Sequence, residues 1–458
     1  MSTPASASTN IYIEDTQGNP VYNFDTIDAI YDVYVENNFI PIIEFGFMPY
    51  DLVSNASAKA TYLLDGWKYP PKDYTKWKNL IIAFLTHLSQ RYGQQVENWM
   101  FEVWNEPNIN NYWLSTVDEY CKLFDYSVEA VKTVNPNFKV GGPALATTAN
   151  SSTFLDQFLR HITTGTNYAT GQIGTKIDFI SFHTKGAGYS PQRSYGHPVS
   201  LQYPSVGKIV SDITENINIV AKYTQLNNVP VIVDECDPAV GTIYGVYDNP
   251  NFIVCNTEYY PAIVAAMILN ILKISPRIER ITHWSFYMEG KRMFEGNRSL
   301  VTNYNLYLPI LNGLKLLEKL QTKQYSIEIS NNPIPLNGFV TFADDNLSIQ
   351  LLVFSHVDDY TVNENQTATI QFNHISYKYV LVKHYKIDIN NNNIYFEWVK
   401  MGKPDFLTDE QLEYFKSYQQ LKLFSDPALY QIENDQLILE SISINTHSVD
   451  FFEIISLD

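Results

Sequence analysis

From Asp25 to about Leu320, short apolar runs alternate with stretches whose hydrophobic positions recur every three to four residues. The runs Phe39–Gly46, Trp99–Trp104, Lys139–Ala144, Ile177–His183, Val229–Glu235 and Arg280–Phe286 predict strands. Between them Thr26–Asn37, Tyr74–Tyr92, Thr116–Asn135, Thr153–Thr163, Val206–Gln225 and Tyr260–Ile274 predict helices. This alternation predicts a parallel β/α architecture. From about Gln324 the period shortens to two, in Leu347–Ser355, Thr367–Phe372 and Val449–Ile455, with one helical insertion at Thr408–Leu421. That texture predicts an antiparallel β domain. The expected division is a disordered Ser/Thr/Ala-rich start over 1–10, a β/α barrel domain over 11–322 and a β-sandwich over 323–458.

Two of the expected strands end in acids. Glu106 stands in Trp104-Asn105-Glu106-Pro107-Asn108, where an apolar run gives way to a loop. Val229-Pro230-Val231-Ile232-Val233-Asp234-Glu235-Cys236-Asp237-Pro238 repeats the arrangement about three β/α units later. Barrel enzymes build their sites on the rim where strands end. Two carboxyls there are what glycoside hydrolysis needs: one protonates the leaving oxygen, the other attacks the anomeric carbon or activates water. Most glutamates are merely surface loop acids; the repeated context sets these two apart. Asp234 and Asp237 compete with Glu235 for the second role.

Composition narrows the function further. A net charge of −18 argues against nucleic acid and anionic membranes as partners, because their phosphates reward Lys and Arg. Aromatic residues make up 14% of the chain, including 33 Tyr and 7 Trp, and such rings suit the apolar faces of sugars. The three cysteines, Cys121, Cys236 and Cys255, cannot form a disulfide framework and have no metal-ligand spacing. No phosphate-cradling Gly-rich loop, His-Glu-x-x-His or Gly-x-Ser-x-Gly pattern occurs, so no cofactor and no metal are expected. No apolar run reaches the length of a membrane span. Met1 to Asn10 lacks the basic start and apolar stretch of a signal peptide, and the compartment stays open.

Several distinctive stretches follow one another along the chain: Asn19-Pro20-Val21-Tyr22-Asn23-Phe24, Ile43-Glu44-Phe45-Gly46-Phe47-Met48-Pro49, Pro70-Pro71-Lys72-Asp73-Tyr74 and Phe101-Glu102-Val103-Trp104-Asn105-Glu106-Pro107-Asn108. Val140-Gly141-Gly142-Pro143, Asp178-Phe179-Ile180-Ser181-Phe182-His183 and Met401-Gly402-Lys403-Pro404 continue the series. Over roughly residues 10–458 the chain resembles glycoside hydrolase family 39, the β-xylosidase and α-L-iduronidase family. The resemblance implies a (β/α)8 barrel with a β-sandwich and a retaining glycosidase that takes terminal pentosides from a glycoside or oligosaccharide. It implies Glu106 as acid/base and Glu235 as nucleophile, their carboxyls roughly 5–5.5 Å apart. Asn105 would hold the sugar 2-hydroxyl, His183 would bind substrate, and Trp284, on the last strand, would line the sugar floor.

Three departures accompany the resemblance. Lys185 stands where the family often has Tyr, and could pair with an anionic sugar or a neighbouring acid. The loop after Trp284 lacks the xylosidases' acidic pair, leaving Glu289 or Glu295 to substitute. Uronidase or arabinofuranosidase specificity, and an inactive sugar-binding protein, are therefore alternatives. Lastly, only one helix and the short strand Ile11–Ile13 precede Phe39–Gly46, where the family places two strands and more. The expectation is an N-terminally truncated barrel of about six strands, whose two open edges a second copy of the chain would cover.

Overall fold

The computed structural model describes residues 10–55, 66–187, 201–239, 245–287, 292–295, 299–331, 333–344 and 347–458. The expected disordered start therefore lies outside the described residues, apart from Asn10. A small hairpin of β1 (Tyr12–Glu14) and β2 (Pro20–Tyr22) leads into helix α1 (Asp25–Glu36). Six strands then lie side by side in chain order: β3 (Ile42–Phe45), β4 (Met100–Val103), β5 (Lys139–Leu145), β6 (Phe179–Lys185), β7 (Val231–Asp237) and β8 (Ile278–Ile281). They pair in parallel, and each crossover carries a helix, as β/α units demand. The crossover helices are α2 (Tyr74–Tyr92), α3 (Val117–Val134), α4 (Ser151–Thr164), α5 (Val206–Val220) and α6 (Tyr259–Ile271).

Helix α2 shows how local sequence sets these elements. Asp73 stands extended before it, and its carboxylate accepts from the Thr75 and Lys76 N–H groups, which have no partner inside the helix. Trp77, Leu80, Ile81, Phe84, Leu85 and Leu88 then fall on one buried face. Gly93, at φ +62°, ends it in a conformation that glycine adopts without a Cβ clash. Beneath the strand ends Met100, Phe179 and Ile232 interlock with Ile42, one side chain from each of four strands. This apolar layer closes the sheet interior below the rim where the acids stand.

The chain forms two compact units that interleave along the sequence. One comprises Met1–Thr184, Asp212–Glu235 and Ser275–Thr282; the other comprises Lys185–Ser211, Cys236–Ile274 and His283–Asp458. The second unit holds α6, α7 (Pro309–Glu318) and two antiparallel sheets. Its larger sheet runs β14-β13-β16-β11-β10-β9, from β9 (Lys323–Tyr325), β10 (Leu336–Phe342), β11 (Ser348–Ser355), β13 (Tyr379–Ile387), β14 (Ala428–Gln431) and β16 (Ser448–Ser456). The smaller pairs β12 (Asn365–Asn373) with β15 (Gln436–Asn445). Strand β11 is buried on both faces: Ile349, Leu351 and Val353 pack with Leu437, Leu439 and Ile444 of the small sheet, while Leu352 and Phe354 pack with Ala262, Ala265 and Leu316 of the helices. That double burial makes two sheets and a helical layer out of one period-two run.

Most expected strands and helices appear with ends shifted by a few residues, the usual error of propensity reading. Strand β8 is the instructive exception. It stops at Ile281, and Trp284 lies beyond it. The backbone N–H of Trp284 donates to the Asp237 Oδ1 carboxylate oxygen at 2.8 Å, so a side chain rather than a neighbouring strand engages the backbone there. Helix α8 (Ile394–Lys400), capped by the Asn393 side chain on the Tyr395 N–H, was not anticipated, whereas α9 (Asp409–Tyr418) falls within the expected insertion. Among the described residues no single helix is long and apolar enough to cross a membrane.

Candidate active site

The site grows from the ends of β4, β6 and β7. After Val103 the chain leaves β4 with Trp104 at φ +73° and Glu106 at φ +45°; Glu235, within β7, sits at φ +49°. Left-handed backbone costs an L-residue about 1–2 kcal/mol, so the surrounding structure must hold it. It does so by hydrogen bonds. The Glu106 N–H donates to the Ala144 carbonyl at 2.9 Å, and the Glu235 N–H donates to the Thr282 hydroxyl at 3.2 Å. Asn108 clamps the loop through Nδ2–H to the Ala146 carbonyl at 2.8 Å and Oδ1 from the Ala146 N–H at 3.0 Å. Trp104, fully buried, packs against Phe47 and Trp113 at ring-centre distances of 5.4 and 5.1 Å. The Trp-Asn-Glu-Pro-Asn run is thus a rigid mount for one carboxylate.

His183 on β6 joins the two acids. Its Nδ1 lies 2.8 Å from Glu106 Oε1 and 3.6 Å from Glu235 Oε2, and its Nε2 lies 3.6 Å from Asp234 Oδ2. One oxygen each of Glu106 and Glu235 and one ring nitrogen of His183 lie within 4.8 Å of one another. The His183 side chain is 1% exposed, whereas Glu106 and Glu235 keep 14% and 20% exposure, enough for a substrate to reach them.

Further acids surround this trio from below and beside it. Asp234 and Glu102 are buried, and Glu44 on β3 is exposed. Burial by itself would lower the His183 ring; the negative charges of Asp234, Glu106 and Glu235 outweigh it and hold the imidazole well above its ordinary pKa. Burial would raise Asp234, but the His183 charge holds it below the usual carboxylate range. Glu102, with burial and the Asp234 charge acting together, is pushed well above that range. Glu44 is pushed up as well, by its protein surroundings and by Asp234, Glu235 and Glu106, against the opposing charge of His183, and water at its exposed side screens the push. Glu44, His183 and Asp234 likewise bring one donor atom each within 4.8 Å, a spacing that also suits a cation. The imidazole common to both trios turns Nδ1 to Glu106 and Nε2 to Asp234.

The structure therefore brings Glu106, Glu235 and His183 together. Asn105 follows on the same loop, 9% exposed, its Oδ1 buried and without a hydrogen-bond partner among the described residues. Lys185, Trp284 and Glu295 belong to the second unit. There Lys185 Nζ pairs with Asp237 Oδ2 at 2.5 Å, and the fully buried Asp237 also takes the Trp284 N–H. The Glu295 carbonyl accepts from the Val246 N–H. Glu289 lies outside the described residues. Sequence reasoning assigned no role to Glu44 or Glu102, although a signal was there: each is a lone acid inside an otherwise apolar strand, and such a charge must meet another polar group.

Two carboxylates this close, one hydrogen-bonded to an imidazole, can move a proton at one face of a bond while attacking the other. Comparison with known proteins points to glycosidases. A family model described as glycosyl hydrolases family 39 matches residues 6–428. A β-xylosidase of Geobacillus stearothermophilus is 28% identical over 420 residues, spanning 88% of this chain and 76% of that protein. An α-L-iduronidase of Homo sapiens is 30% identical over 224 residues, spanning 48% of this chain and 30% of that protein. In fold the chain is similar to a β-xylosidase from Caulobacter crescentus CB15, with a TM-score of 0.79 at 19% identity, over 97% of this chain and 87% of that one.

Proposed function

The chain belongs to glycosyl hydrolase family 39 and is a glycosidase; on that premise we propose that it works by retention, through Glu106 and Glu235, on terminal pentosides. The observation that carries the reading is the approach of the two carboxylates, with oxygens within 4.8 Å of each other. An inverting enzyme must fit a water beside the sugar and separates its carboxyls by about 6.5–9.5 Å; a retaining one keeps them near 5 Å.

In the first step Glu106 gives its proton to the glycosidic oxygen as Glu235 attacks the anomeric carbon. The C–O bond to the leaving group breaks and an ester to Glu235 forms. Glu106, now ionised, next takes a proton from water, whose oxygen attacks the same carbon and expels Glu235. Asn105, with its unsatisfied buried Oδ1, accepts a hydrogen bond from a sugar hydroxyl, a contact that strengthens as charge develops on the ring.

A second reading concerns the sugar. Lys185 lies two residues past His183 on β6, so a regular strand turns both side chains to one side. A uronide carboxylate would exchange for Asp237 at that ammonium, and the likeness to an α-L-iduronidase favours the same substrate class. Hydrolysis of 4-nitrophenyl β-xyloside, α-arabinofuranoside, β-glucuronide and α-iduronide by the chain and its Glu235→Ala variant decides between them. Turnover lost in the variant, with the first-formed sugar keeping its anomeric configuration by proton NMR, is expected. Inverted product, or turnover that survives Glu235→Ala, would overturn the reading.

A further inference from the structure

The Asp234 carboxylate poses a problem that the two-carboxylate mechanism leaves unsolved. The residue is 6% exposed, both of its side-chain oxygens are shut off from solvent, and the buried Glu102 carboxyl is hydrogen-bonded beside it. A buried carboxylate is costly unless a cation faces it, and the carboxyl beside Asp234 brings no positive charge. The cation is His183, whose Nε2 lies 3.6 Å from Asp234 Oδ2 and has no hydrogen-bond partner among the described residues. The opposite nitrogen of the same ring, Nδ1, lies 2.8 Å from Glu106 Oε1. A neutral imidazole has one donor and one acceptor nitrogen; facing the Asp234 carboxylate on one side and, on the other, the Glu106 oxygen that does not carry the proton, the ring is satisfied only as a donor at both.

We propose that Asp234 is a positioning residue for the reaction: it holds His183 from behind so that Nδ1–H points at Glu106 and steadies that carboxylate for proton transfer. The inference rests on the glycosidase reading. Asp234 touches no reacting atom; it acts through the ring. The titratable groups around His183 are Glu44 from β3, Glu102 from β4, Glu106 from the loop after it, and Asp234 and Glu235 from β7. Of these only Asp234 faces Nε2 within ion-pair distance, so its loss frees the ring to turn or to give up the Nδ1 proton. Glu102 is buried beside Asp234 and hydrogen-bonds it, and burial and the Asp234 charge both favour its neutral form.

The test uses a leaving-group series, because a defect in proton donation shows only where the leaving group needs a proton. Values of kcat/KM, which report the first step, are measured for aryl glycosides of the accepted sugar from 2,4-dinitrophenyl to phenyl. For Asp234→Asn the expected loss is under about threefold with dinitrophenyl and more than about tenfold with phenyl, so the dependence on leaving group steepens. Asp234→Glu, which keeps the charge, is expected to restore most of the wild-type slope. Labelling of Glu235 by a 2,4-dinitrophenyl 2-deoxy-2-fluoroglycoside needs no acid, and a normal rate shows that the variant site is folded. Equal losses across the series, or a wild-type slope in Asp234→Asn, would overturn the positioning role. A wild-type chain that turns over no glycoside and takes no label would instead bring down the glycosidase reading beneath it.

Discussion

Replacing Glu258 by glutamine removes a buried acid whose cost depends on pH. Glu258 precedes α6, is 5% exposed, and accepts from Asn393 Nδ2–H at 2.9 Å. Burial, reinforced by Asp388 and opposed by the Asn393 hydrogen bond, raises its carboxyl from 4.5 to about 7. Between those values the folded chain holds a proton that the unfolded chain has released. Its contribution to stability is therefore fully present below pH 4.5 and is lost as pH rises to about 7. At about 1.4 kcal/mol for each pH unit, the loss comes to about 3 kcal/mol. Glutamine cannot titrate, and its carbonyl keeps the Asn393 contact. Urea unfolding of both proteins from pH 4.5 to 8 is expected to show the variant gaining on the wild type by about 3 kcal/mol, with a plateau near pH 7.5. For a unit of 150–250 residues that is roughly 6–12 °C in Tm. The subtraction cancels every other titrating group. Stability curves that run parallel across this range, to within about 0.5 kcal/mol, would refute the argument.

Glu106→Ala is expected to cut kcat/KM on a phenyl glycoside by at least about a hundredfold while sparing the dinitrophenyl glycoside, and added azide should yield a glycosyl azide of retained configuration. Product analysis by NMR checks this, and equal loss on both substrates would count against Glu106 as the acid. Gly141→Ala would place a methyl 2.2 Å from the Phe179 carbonyl oxygen and 2.6 Å from its ring, where β5 meets β6. More than about 4 kcal/mol of destabilisation is expected, read as a loss of cooperative unfolding by circular dichroism. Asp73→Ala strips the N-terminal cap from α2 and should lower stability by about 1 kcal/mol in urea melts at neutral pH.

Much of the molecule was already present in one dimension. The limits of α2 were legible to the residue, because its cap, its apolar stripe and its terminating glycine are all local. Glu106 and Glu235 stood out because a strand that ends in an acid and a proline is likewise a local pattern. The alternation of strands and helices is enough to imply a parallel sheet, since each helix carries the chain back to the start of the next strand, but the chain order of the strands is the assembled sheet's own. What stayed illegible depends on neighbours far away in sequence. The end of β8 is one case, since Asp237 captures the Trp284 N–H. The arrangement around His183 is the deeper one. A regular strand sends consecutive side chains to opposite faces, which would separate Asp234 from Glu235. Both nevertheless reach within 3.6 Å of the same imidazole, because the left-handed turn at Glu235 breaks the alternation. The sequence determined which residues could carry the chemistry. Only the assembled sheet decided which acids lose their water and which share a histidine, because burial and charge proximity exist only once β4, β6 and β7 lie in one sheet.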